Sequence, residues 1–216
     1  MWGKAVIIFL IFFVSCKQKN IEKKNDSFPA ADPIAVNKKA VTKDLEVEFL
    51  WRDSSGTNIV INEDLCKTIP DDQKAALGYV ATFVGNECNW DGGYKEDRSN
   101  LRCVILSALN LGYQCSEKHL GFLRQWFRTD KAVLDELGSC PTLPDGATVE
   151  NTFTGIWLSV KGDSISVRFD VSAVNLREGD SWEYTETDHF LSGNNSIRLV
   201  KKDRSPIKHE KIDIGE

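Results

Sequence analysis

The sequence lacks a surplus of positive charge, has few histidines and has no long apolar run. Against 32 acidic residues the 216-residue chain sets 27 lysines and arginines, for a formal net charge of −5. Holding nucleic acid needs a surplus of Lys and Arg on some face, so that class of partner is disfavoured. Only three histidines, His119, His189 and His209, are present to titrate unaided near neutrality. There is no Gly-x-Ser-x-Gly, no His-Glu-x-x-His and no Gly-x-x-x-x-Gly-Lys-Ser/Thr, so the common nucleophile, zinc and phosphate motifs are missing. The longest apolar run covers ten residues, 5–14, where a spanning helix needs about 20. With 41% hydrophobic residues the chain is neither collagenous nor disordered throughout, and it is long enough to bury one core.

What is present begins at the first residues. Lys4 and the amino terminus precede the apolar run AVIIFLIFFV at 5–14, which stops at Ser15-Cys16. This is the n-region and h-region layout of a secretory signal. Ordinary cleavage after Ser15 would place bulky Phe13 where a small residue is wanted. The stretch Phe13-Val14-Ser15-Cys16 resembles the lipobox of bacterial lipoproteins. That resemblance implies a signal peptide at 1–15, removed by the lipoprotein signal peptidase, and a mature chain that begins at an acylated Cys16. An uncleaved anchor is the alternative. The implied partner is a lipid bilayer, held stably by two or more acyl chains that contribute about 0.8 kcal/mol per buried CH₂. Lys17, rather than an acid, follows the cysteine, which in such families is compatible with the outer membrane, facing the periplasm.

Residues 16–44 read as a lipidated tether. Within 17–43, seven lysines face three acids, with Pro29 and Pro33 and few large apolar residues, a composition that does not repay ordering entropy. The tether carries net +4 and residues 44–216 carry −10. A basic strip beside an anchor can lie on anionic headgroups, or it can be a solvated linker.

Residues 45–200 read as a single α+β domain, its helical part at 66–140 and its β part at 147–200. Alternation in 45–51 (LEVEFLW) and the turn residues Asp53-Ser54-Ser55-Gly56 before 58–61 predict an N-terminal β-hairpin. Three helices follow, from Pro70 to about Gly85, from about Ser99 to Leu111, and from Ser116 to Gly138. The second is apolar nearly all round, which predicts the central position. A C-terminal antiparallel meander of about four strands follows, at 155–160, 165–171, 181–185 and 197–200. The polar tail 201–216 is expected to fray.

Cysteines 66, 88, 103, 115 and 140 punctuate the helical part. In an exported chain they read as disulfides before metal ligands, for no Cys-x-x-Cys spacing is present. Three helices running up, down and up bring Cys66 and Cys115 to one end and Cys88, Cys103 and Cys140 to the other. The expectation is therefore Cys66–Cys115 plus a second bridge, with Cys88–Cys140 favoured over Cys88–Cys103 and one thiol left over. No metal site and no cofactor are expected.

Candidates for chemistry are few. His119, in the first turn of the third helix, is a weak catalytic candidate with carboxylates nearby, or a surface or capping residue. The loop at 89–97 gathers Trp90, Asp91, Glu96 and Asp97 between glycines and aromatics, either as a binding surface or as a solvated loop. Function is expected to be binding in the cell envelope, to a protein or peptide. One alternative is a hydrolase using His119 with the acidic loop. Another is a small-ligand-binding β domain, since Thr154-Gly155-Ile156-Trp157 resembles lipocalin-like envelope domains.

Overall fold

A computed structural model describes residues 46–56, 58–84, 101–140, 149–175 and 177–212. The chain divides into two units, 1–40 and 41–216, and every described residue lies in the second. The expected signal segment, the tether with Cys16, and the loop residues Cys88, Trp90, Asp91, Glu96 and Asp97 lie outside the described residues.

The described elements are helices and antiparallel strands. In chain order they are β1 (Glu46–Arg52), β2 (Ile59–Ile61), α1 (Glu63–Thr68), α2 (Asp71–Phe83), α3 (Leu101–Ala108), α4 (Glu117–Trp126), α5 (Lys131–Gly138), β3 (Val149–Lys161), β4 (Ser164–Asn175), β5 (Asp180–Gly193), β6 (Ser196–Arg204) and β7 (Lys208–Lys211). The hairpin forms as its turn chemistry predicts: Asp53 accepts from Ser55 Oγ at 2.6 Å and from Asn58 Nδ2 at 2.7 Å. These bonds hold the Asp53 carboxyl at a pKa of about 2, below its ordinary 3.8.

Hairpin and meander are one sheet rather than two bodies, in the order β2-β1-β3-β4-β5-β6, with β7 pairing β5 beyond β6. The β5–β6 turn places Asn194 and Asn195 at φ 51° and 56°, the left-handed pair that a two-residue hairpin loop requires. Within the tail expected to fray, residues 201–204 and 208–211 are strands. β6 runs to Arg204, and β7 pairs Lys208–Lys211 with Glu183–Asp180.

Helices cover one face of the sheet. From β4, Ile165, Val167, Phe169 and Val171 point into this layer, as their alternation predicts. The central helix is α2, not α3: residues 75–82 of α2 are all buried, whereas Val104 of α3 is 41% exposed. Small residues explain the difference, because Ala75, Ala76, Gly78 and Ala81 let neighbours approach. A Cβ on Gly78 would sit 2.7 Å from Leu111 Cδ1. Tyr79, Phe127 and Phe190 pack with ring centroids 5.4–6.0 Å apart where α2 meets β5.

Among the described residues there are five helices where three were expected. α1 was not anticipated; it is capped by Asn62, whose Oδ1 accepts from the Leu65 N–H at 3.0 Å. The segment read as one helix, 116–138, is the hairpin α4–α5, broken at Asp130. The break overturns the expected disulfides. A helical hairpin returns its far end to its start, so Cys140 meets Cys115, and these two form the bridge, with Cα atoms 5.9 Å apart. Neither Cys66–Cys115 nor Cys88–Cys140 forms. Cys66 carries a free, half-buried thiol, and Cys103 is buried on α3.

Candidate functional site

His119 is neither a surface residue nor reachable by substrate: it is 0% exposed. Cys115, in a left-handed conformation at φ 59°, donates its backbone N–H to His119 Nδ1 at 3.1 Å. That acceptor role fixes the ring proton on Nε2, which lies 3.0 Å from Thr82 Oγ1. The Thr82 hydroxyl in turn donates to the Gly78 carbonyl at 2.7 Å. Burial lowers the imidazole pKa to about 4. His119 is thus a neutral pin joining the disulfide-bearing turn to α2.

The second histidine is placed differently. On the face of the sheet away from the helices, β4, β5 and β6 set Ser166, His189 and Asp203 in a line. Ser166 Oγ is 3.0 Å from His189 Nδ1, and His189 Nε2 is 3.0 Å from Asp203 Oδ2. The order is nucleophile, base and orienting acid. Ser166, however, sits mid-strand and is paired to Ser159 on one side and His189 on the other. Backbone amides there serve the ladder, and an oxyanion needs donors aimed at it. Asp203 is 53% exposed and also takes Lys201 Nζ at 2.6 Å. The line therefore fixes the His189 ring on an open polar face.

Beside it, the Trp157 indole lies over Gly155, where a Cβ would come within 2.0 Å of the ring. The Arg168 guanidinium stacks on that indole 3.8 Å from its centroid, and Glu46 holds it through Nε at 3.0 Å and a second nitrogen at 3.1 Å. No known family, curated protein or solved structure matches this chain.

Two of the concavities among the described residues adjoin the sheet. One, of about 700 Å³, is lined by Ile59, Ile61, Cys66, Val104 and Leu109, with Lys74 among its polar residues. Burial raises the Cys66 thiol pKa there, so the thiol form is favoured. The other, of about 440 Å³, lies at Tyr184, Thr185, Ser205 and Lys208. Among the described residues no group of three or more His, Cys, Asp or Glu side chains is arranged to hold a metal ion.

The most unusual chemistry lies inside. Glu186 and Asp188 point from β5 toward the helices, 3% and 1% exposed. Arg204 of β6 bonds Glu186, and Lys202 stands 3.7 Å from Asp188 Oδ2. Above them Tyr79 of α2 donates to Glu136 of α5 at 2.6 Å. The sequence reading missed both this group and the Ser166–His189–Asp203 line. For the line, the polar phase of the β4 alternation was a visible signal, but the register needed to join three strands was not. For the buried acids there was no signal: carboxylates in the inward phase read as a loop.

Proposed function

We propose that the protein is a lipid-anchored lipoprotein of a bacterial envelope, with an α+β domain that works by binding a protein or peptide. One observation carries the anchoring: a ten-residue apolar run ending at Ser15-Cys16. Supporting it, the domain uses a disulfide, Cys115–Cys140, as exported chains do. Binding rather than hydrolysis is supported by His119, which is sealed and fully bonded, and by Ser166, whose surrounding amides serve the ladder. The basic tether holds an acidic domain, whose fitting partners are basic or neutral.

Labelling with a radioactive fatty acid of cells making the full chain or its Cys16→Ser variant tests the anchor. The unaltered protein is expected to carry the label and to run at the processed size, and the variant, which keeps the apolar run, is expected to carry none and to stay unprocessed. An unlabelled unaltered protein, or a variant labelled and processed equally, contradicts the reading.

A further inference from the structure

Oδ1 of Asp188 is a buried oxygen without a hydrogen-bond partner. A buried carboxylate oxygen left unpaired is costly, and an ionised carboxylate can only accept. The groups around it are few and identifiable. Within β5 the neighbour is Glu186, two residues away on the same buried face, and a hydrogen bond between the two acids requires one of them to be protonated. From β6 come Lys202, at 3.7 Å from the other oxygen, and Arg204, already committed to Glu186 and lying over the Tyr184 ring at 4.5 Å. From α5 comes the negative charge of Glu136, taken up by the Tyr79 hydroxyl. From α2 comes Tyr79 itself, over whose ring Lys202 Nζ sits at 4.9 Å. Opposite on β4 is apolar Val167.

The Coulomb balance fits one retained proton. Lys202 and Arg204 bring two positive charges, against three carboxylates if all are ionised. We propose that Asp188 and Glu186 share one proton, donated from Asp188 Oδ1 to the Glu186 carboxylate, and that this proton is a latch closing the β5–β6 strands onto Tyr79 and Glu136. With the proton in place, the orphaned oxygen becomes a donor and Lys202 remains free to lie over Tyr79. On its loss, two adjacent buried carboxylates compete for Lys202 and Arg204, and the contact between β6 and α2 loosens. Burial is the largest cause raising the Asp188 pKa, to about 7 from 3.8, with Glu186 and Glu136 adding to it against Lys202. The latch therefore releases as pH rises above the ordinary carboxylate range.

Infrared titration of the full chain detects a protonated carboxylic acid directly. A carbonyl band of that kind is expected at pH 6, lost by pH 9 and absent from Asp188→Asn. The asparagine amide donates where the shared proton did and cannot ionise. Its urea midpoint should therefore lie above that of the unaltered chain at pH 8, and the β6 amides should exchange no faster at pH 8 than at pH 6 once intrinsic rates are corrected. In the unaltered chain the same amides should exchange faster at pH 8. Absence of the band at pH 6 overturns the proposal, as does equal protection of β6 at both pH values in the unaltered chain. The infrared titration decides the matter even if the variant does not fold.

Discussion

His119 and Asp188 are both sealed from solvent, yet burial acts on them with opposite sign because one charges on gaining a proton and the other on losing it. His119 has a folded pKa near 4 against an ordinary 6.5. Between these values the unfolded chain binds a proton that the folded chain does not, so stability rises with pH across that window and is lost on acidification to about 4. Asp188, near 7 against an ordinary 3.8, holds a proton in the folded state that the unfolded chain releases, so stability falls as pH rises from about 4 to 7. Each slope is about 1.4 kcal/mol per pH unit at full effect, and over the shared window they cancel. The unaltered chain is expected to show a nearly flat urea midpoint from about pH 4.5 to 6.5. His119→Gln keeps an acceptor and a donor but removes one slope, so its midpoint should fall steadily with rising pH. A flat profile in that variant would show that His119 does not titrate as described.

The break between α4 and α5 shows how one side chain overrides a helical pattern. Residues 116–138 carry apolar residues at helical spacing, and no proline or glycine announces an interruption between Phe127 and Lys131. Asp130 ends the run because it is worth more as a cap. Its Oδ1 accepts from the Val133 N–H at 3.2 Å, and its Oδ2 accepts from the Leu199 N–H of β6 at 2.9 Å. Asp130→Ala therefore removes a cap, about 1 kcal/mol, and leaves the half-buried Leu199 amide of β6 without its acceptor, about 1–3 kcal/mol more. Chemical denaturation should show a loss of about 2–4 kcal/mol, and a change below about 0.5 kcal/mol would mean that the break is set elsewhere. The same break redirected the disulfide, which closes a span of 25 residues and contributes about 3–4 kcal/mol in the chain-entropy model.

Strands were legible where alternation was apolar, as in β1 and β4. β5 was legible only to Thr185, because Glu186 and Asp188 occupy inward positions that a pattern reader expects to be apolar. β6 was legible at 197–200, but its far half and all of β7 hid for the complementary reason. Lys201, Lys202, Arg204, Lys208 and Lys211 look like a solvated tail, and on a sheet edge they discourage strand-to-strand association. α3 misled through hydrophobicity alone: close approach to the sheet needed the small residues of α2.

At the scale of the whole molecule, the sequence divides charge and role along its length. A segment of net +4 separates the apolar run at 5–14 from a portion of net −10, and that portion contains a sheet with helices on one face. The opposite face carries the Trp157–Arg168–Glu46 stack and the Ser166–His189–Asp203 line, both of which hold polar groups in place without enclosing a substrate. Such a domain suits a partner met at a surface, and in the proposed function its placement depends on Cys16. The most direct measurement is the intact mass of the protein extracted from membranes with detergent. The account predicts a chain beginning at Cys16 and heavier than residues 16–216 by its acyl groups. A mass equal to the unprocessed chain from Met1, with Cys16 bearing a free thiol, would contradict it.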